Sequence, residues 1–351
     1  MIDEVISISL ISRIFGMRLN GECSMDLLTW RGRVSTWLNR RRSATNALES
    51  ERGLRPSQPH RTAFVLLGGG ARGAAQAGAL RVLLEHGIVP NYIVSISAGS
   101  WNGAFLAQDP TPERARELED LWLHTSTLDI VGPRRWRAAI NALAQRSSLY
   151  GSSGMRRVAE RYLGELTFED MRVPLRIVAT DLKTGSAHFF SEGTVLPAVV
   201  ASSAMPGIFP PVVISDNVFI DGGIADWGAC LDALNWGATR ICLVACGAVV
   251  GRESRSRTVR RVLERSLEIS LRNNFEAMAF ALRASGVEVL AIFPELRRGT
   301  MLDFDLAPSF IEAGHAAARK ALSAWDHSHF DSDAPDSSAD DTEAHDESVG
   351  A

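Results

Sequence analysis

Cysteine is scarce in this chain of 351 residues, with four in all. Cys23, Cys230, Cys242 and Cys246 form no C-x-x-C pair and no Cys/His ligand spacing, so neither a metal site nor a redox motif is expected. A chain this long has core enough to do without disulfides, and the four read as reduced, mostly buried thiols. No uninterrupted apolar run reaches the ~18 residues that span a bilayer, so any lipid contact is expected at the surface. The apolar run at 5–11 follows Asp3 and Glu4 where an export signal carries basic residues, and the cytoplasm is the expected compartment. A basic excess is missing too: the net charge is -4, which gives no sign of a nucleic-acid binder. No internal repeat stands out.

What is present divides the chain into three parts. Residues 1–61 mix short apolar and basic pieces, among them WRGRVSTWLNRRRS at 30–43, and end in a polar linker. Trp30, Trp37 and Arg40 to Arg42 suit peripheral contact with an anionic membrane; a solvated arm is the plainer alternative. Residues 326–351 carry nine acidic residues and no Lys or Arg, the composition of a disordered acidic tail. Between them, 62–325 alternates β-rich and helical runs, which predicts one α/β domain: a mostly parallel central sheet flanked by helices. Strands are expected at 63–67, 92–96, 175–179, 218–220, 241–245 and 287–293. Helices are expected at 74–86, 98–108, 112–123, 154–162, 255–284 and 309–323. The 255–284 helix and its lead-in hold six arginines from Arg252 to Arg265, with Val259, Val262, Leu263 and Leu267 at helical spacing; the charges read as its wet face.

Three segments carry chemistry. In FVLLGGGARG a buried strand runs into a glycine-rich turn that opens a helix, which points backbone N–H groups at an anion. Gly68, Gly70 and Gly73 fit G-x-G-x-x-G, but the next strand ends in Ser97 rather than in the acid that a dinucleotide ribose needs. No cofactor is therefore expected, and the turn suits an oxyanion hole with donors near Gly69 and Gly70. In Ser95-Ile96-Ser97-Ala98-Gly99 a serine sits between small residues where strand meets helix, the pattern of a nucleophile elbow. Ser95 replaces the usual first glycine and is expected to add strain. In VFIDGG a strand delivers Asp221 into Gly222-Gly223, at the sheet edge where open α/β folds gather their sites.

A serine hydroxyl needs a base, usually histidine. The eight histidines are poorly placed: His60, His327, His329 and His345 lie in the appendages, His86 and His124 in or at the end of helices, and His188 and His315 beside no acid or glycine turn. Asp221 is the simpler base for Ser97, with its pKa raised by burial.

In these residues the chain resembles the patatin-like phospholipases: GGGARG at 68–73, SISAG at 95–99, ASSAMPGIFPPV at 201–212 and DGG at 221–223 follow in that family's order, with the motif-bearing core at about 64–234. The resemblance implies hydrolysis of a lipid ester by a Ser97–Asp221 dyad. It implies oxyanion binding by the backbone around Gly69, Gly70 and Ala71, with Arg72 helping to hold the oxyanion or a lipid phosphate. No metal is implied. The sequence departs from the family at Ser95 and at Asp226-Trp227-Gly228, where asparagine and proline are common. Transfer of the acyl group to an alcohol, and an inactive lipid-binding scaffold, are the alternatives to hydrolysis.

Overall fold

A computed structural model describes residues 60–132, 148–225, 228–249 and 259–330. The arm at 1–59, the acidic segment beyond 330, and Asp226 and Trp227 lie outside the described residues.

The first strand, β1 (Thr62–Leu66), is buried along its whole length. Its side chains alternate between two cores, Phe64 and Leu66 in one, Ala63 and Val65 in the other. A strand buried on both faces is the signature of a sheet between helical layers. Next come α1 (Gly73–Glu85), β2 (Tyr92–Ile96), α2 (Ala98–Ala107), α3 (Pro112–Leu123), α4 (Thr127–Val131) and α5 (Ser153–Leu163). They are followed by β3 (Leu175–Asp181), β4 (Ala187–Phe190), α6 (Val195–Ser202), β5 (Val212–Ile214), β6 (Asn217–Asp221) and α7 (Gly228–Asn235). The last elements are β7 (Arg240–Val244), β8 (Ala248–Val249), α8 (Val259–Ala284), β9 (Glu288–Ile292), β10 (Glu295–Leu296) and α9 (Ala307–Phe330).

The main sheet has the order β5-β6-β3-β2-β1-β7-β9, with β4 also paired to β3. The pairings β3–β2, β2–β1, β1–β7 and β7–β9 are parallel, whereas β4 and β6 run antiparallel to β3. Helices α1, α2, α3, α5, α6 and α9 contribute to the core on one face. Helices α7 and α8 cover the other through Ala229, Ala233, Phe275, Met278 and Leu282. The expected strands and helices all form, the helix at 255–284 from Val259 on, while its first four expected residues and the lead-in from Arg252 lie outside the described residues. Helix α9 runs seven residues past its expected end at Ser323, and β4, β5, β8, β10, α4, α6 and α7 were not foreseen. Among the described residues no helix is long and apolar enough to cross a membrane.

One register relationship builds the site. On β3, Val178 faces Ile96 of parallel β2, and the next residue, Ala179, faces Asp221 of antiparallel β6. The carboxyl ends of β2 and β6 therefore meet head to head at neighbouring positions of one strand. Asp221 reaches Ser97 from the opposite direction, not as one more strand end on a parallel edge, as the sequence suggested.

Candidate active site

Ser97 stands between β2 and α2 with φ 52° and ψ -123°, a left-handed backbone that a non-glycine residue adopts only under constraint. The constraint is visible. The Ser97 N–H donates to Ser202 Oγ (2.7 Å), whose own hydroxyl donates to the Val178 carbonyl (2.6 Å). The Ser97 carbonyl accepts from the Ser100 hydroxyl (2.6 Å). Close packing explains the small residues: a Cβ on Gly99 would lie 2.3 Å from the Leu66 carbonyl oxygen. Ser95 does not add the strain expected of it. Its hydroxyl donates to the Arg176 carbonyl (3.2 Å), and a Cβ on Gly103 would come within 3.0 Å of it, so the absence of a side chain there makes its room. Among the described residues only Ser97 and Ser215 combine a side chain with positive φ.

The Ser97 hydroxyl donates to Asp221 Oδ2 at 2.7 Å, while Asp221 Oδ1 accepts from the Gly223 N–H at 2.8 Å. Thr180 donates its hydroxyl to the Asp221 carbonyl (2.8 Å), and the Asp221 N–H bonds the Ala204 carbonyl (3.0 Å). Burial pushes the carboxyl up to about 6, against the downward pull of Gly223 and Ser97. Such a group takes a proton more readily than an ordinary aspartate yet is ionised at neutral pH. The four histidines of the body are engaged elsewhere: His86 and His124 with the carbonyls of Val82 (2.8 Å) and Asp120 (2.7 Å), His315 with Glu119 at 2.6 Å, and His188 against Phe190 and Phe219.

The glycine-rich turn lies against Ser97, since a Cβ on Gly68 would sit 2.8 Å from that of Ser97. Gly70, with φ 59°, has the Met301 carbonyl oxygen 2.3 Å from where a Cβ would be. Ala71 donates its N–H to that same carbonyl (2.8 Å). Of the expected donors, Ala71 is thus already engaged, and Gly69 and Gly70 stand ahead of it. A buried polar chain fixes the turn: Gln76 donates to the Leu67 (3.1 Å) and Val244 (2.7 Å) carbonyls. Asn102 donates to Gln76 (2.9 Å) and the Gly73 carbonyl (3.0 Å) and accepts from the Trp122 indole (2.8 Å). Sequence reasoning missed Gln76, Asn102, Thr180 and Ser202. The signal for the first two was a polar residue inside an otherwise apolar helix.

The Arg72 side chain goes where it was not expected. It is 1% exposed, pairs with Glu268 of α8 and reaches the Gly299 carbonyl (3.3 Å). With Glu268 it lines a cavity that also holds Gly68, Gly69 and Cys246, whereas Ser97 and Gly70 line a separate cleft. A charge this deeply buried needs a fixed partner, and Glu268 supplies it.

The Ser97 cleft encloses about 550 Å³, counted out to its open mouth, and its wall is overwhelmingly apolar. Trp101, Trp122, Met155, Phe209 and Phe304 contribute most of the bulk. Polar groups there are few: beside Ser97, Thr125 is turned to the Leu121 carbonyl (2.8 Å) and Ser203 accepts from the Trp101 indole (3.0 Å). Among the described residues no group of three or more His, Cys, Asp or Glu is placed to hold a metal.

Residues 64–228 match the family model described as patatin-like phospholipase. Patatin-like phospholipase domain-containing protein 7 of Rattus norvegicus is 27% identical over 163 residues, 46% of this chain and 12% of that protein. The lysophospholipase nte1 of Aspergillus terreus is 29% identical over 167 residues, again 46% of this chain and 10% of the relative. The match thus spans about an eighth or less of the length of these relatives. Among solved structures, VipD from Legionella pneumophila superposes with a TM-score of 0.42 at 14% identity, over 76% of this chain and 68% of that one. Residues 64–228 of this chain belong to the patatin-like phospholipase family.

Proposed function

We propose that the protein is a lipid acyl hydrolase of the phospholipase A or lysophospholipase kind, with Ser97 as nucleophile and Asp221 as its base. The observation that carries this reading is the 2.7 Å hydrogen bond from the Ser97 hydroxyl to a buried carboxylate, at the head of an apolar cleft. Asp221 takes the Ser97 proton as Oγ attacks the ester carbonyl, and the carbonyl oxygen becomes an oxyanion facing the N–H groups of Gly69 and Gly70. Collapse of this intermediate expels the alcohol, which receives the proton from Asp221, and leaves the acyl group on Ser97. Water, deprotonated by the same carboxylate, then attacks the acyl-enzyme and releases the fatty acid. The acyl chain occupies the cleft, where each methylene removed from water contributes about 0.8 kcal/mol.

The domain that does this is assigned to residues 62–325 with the end of α9, the remaining segments being appendages. Buried, reduced Cys230, Cys242 and Cys246 fit a cytoplasmic protein that meets its substrate at a membrane surface. The test is fatty-acid release from mixed phospholipid vesicles and from a soluble p-nitrophenyl ester by wild type, Ser97→Ala and Asp221→Asn. Release that depends on both residues is expected. Full activity of Ser97→Ala would end the reading.

A further inference from the structure

Helix α8 presents to solvent a face that its packing does not explain. The sequence pattern grouped Val262 with the buried side, yet Val262 is 56% exposed, Ile269 48% and Phe280 75%. These three are seven and eighteen residues apart, close to whole numbers of turns at 3.6 residues per turn, so they form one line along the helix. The opposite side, with Phe275, Met278 and Leu282, is buried on the sheet. Each exposed apolar residue is followed three positions on by an exposed arginine: Arg265, Arg272 and Arg283. Within α8 five arginines stand against three glutamates, in a chain whose net charge is -4. Two of the glutamates have partners on the protein: Glu268 pairs with Arg72 and Arg265, and Glu276 with Arg272.

An apolar line flanked by a parallel line of arginines is the pattern of a helix that lies in the plane of a membrane surface. The large aromatic and aliphatic groups enter the acyl boundary while guanidinium groups meet phosphate. Its position fits this use. Leu271 packs beside Gly223, and Glu268 holds Arg72, so the same helix touches both the Asp221 turn and the glycine-rich turn.

We propose that the outward face of α8 is a docking surface for an anionic lipid bilayer, with Val262, Ile269 and Phe280 entering the interface and the arginine row holding lipid phosphates. The proposal rests on the hydrolase reading for its purpose but is measured without it. The probe is a set of phosphatidylcholine vesicles with or without phosphatidylglycerol, used in sedimentation with the full chain carrying Ser97→Ala, so that binding is seen without turnover. Preferential binding to the anionic vesicles is expected. It should fall about tenfold in a Val262→Ser, Ile269→Ser, Phe280→Ser variant and comparably in Arg272→Gln, Arg283→Gln. Both sets of changes are made at exposed positions, and on the wild-type Ser97 background they should leave hydrolysis of a soluble ester unchanged, which also shows that the variants fold.

Unchanged vesicle binding by both variants would overturn the proposal, as would equal binding to neutral and anionic vesicles. A dimer that the triple variant splits, with vesicle binding intact, would assign the face to a second copy of the chain instead. Failure of the hydrolase reading would look different: no release from any ester, with anionic binding retained.

Discussion

Ser97 and Asp221 share a 2.7 Å hydrogen bond although the strands that carry them run in opposite directions, because β2 and β6 end at adjacent residues of β3. Two backbone anchors hold each partner: Ser202 and Ser100 for Ser97, Thr180 and Ala204 for Asp221. If this pair is the chemistry, each half is indispensable. Ser97→Ala and Asp221→Asn are each expected to lower kcat/KM about 10⁴-fold on a soluble ester, and the double variant should be little worse than either single one. Additive losses would show that the two act separately.

The buried carboxyl gives two pH predictions. Activity needs ionised Asp221, so kcat/KM should fall on the acid side with a midpoint near the carboxyl's value of about 6. Stability runs the other way. The folded-state value lies above the ordinary carboxylate value of 3.8, so the folded chain holds the proton more tightly, and stability is lost as pH rises from about 4 to about 6. Asp221→Asn removes that cost while keeping an acceptor for the Gly223 N–H. At pH 7 it should be more stable than wild type by on the order of 2–3 kcal/mol, at about 1.4 kcal/mol per pKa unit. Urea melts at pH 4 and pH 7 check this: the gain should shrink toward zero at the lower pH.

These anchors also mark how far the sequence could be read. Ser97, Asp221 and the glycine turn were legible because each combines a strand end with small residues, a local pattern that the structure reproduces at Gly99 and Gly70. The antiparallel run of β6 was not, since a five-residue strand reads the same in either direction. Arg72 was misread for the same reason: GGGARG shows an arginine beside an anion site, but only the fold brings Glu268, 196 positions on, against it. Ser202 and Thr180 escaped because a small hydroxyl in an apolar run has no periodicity of its own.

Gln76 offers a stability test of the buried polar chain. Its amide holds the carbonyls of Leu67 and Val244 and receives Asn102, all in a fully buried setting. Gln76→Leu keeps the bulk but takes one hydrogen bond from each of these groups, at about 0.5–1.5 kcal/mol for each bond lost. It leaves the Val244 carbonyl with the Leu67 N–H, the Leu67 carbonyl with the Cys246 thiol and the Asn102 amide with the Gly73 carbonyl. A loss of several kcal/mol in urea unfolding is expected, with activity on a soluble ester falling as well, because Leu67 leads into the glycine turn. A change below 0.5 kcal/mol would mean that the chain does not fix the turn.

Gly70 separates the backbone role of the turn from the dyad. Its φ of 59° and the Met301 carbonyl oxygen, 2.3 Å from a would-be Cβ, leave alanine no room without moving the turn. Gly70→Ala should cost about 10²–10³ in kcat, the loss typical of one oxyanion donor, while Ser97 still reacts with a fluorophosphonate probe, though more slowly. Undiminished kcat would remove Gly70 from the oxyanion hole.

The cleft predicts a preference for chain length. With an apolar wall and about 0.8 kcal/mol per methylene taken from water, kcat/KM on p-nitrophenyl esters should rise roughly fourfold per added CH₂ until the cleft is full. Met155 lines that wall and is itself 3% exposed, so a larger side chain there has only the cleft to grow into. Met155→Trp should leave the shortest esters unaffected and bring the plateau to shorter chains, with a drop of about tenfold or more on long ones. The comparison uses the ratio of long-chain to short-chain kcat/KM, which a general loss of folded protein does not alter. A ratio equal to that of wild type would mean that the acyl chain lies elsewhere, and that the cleft at Ser97 serves another part of the substrate.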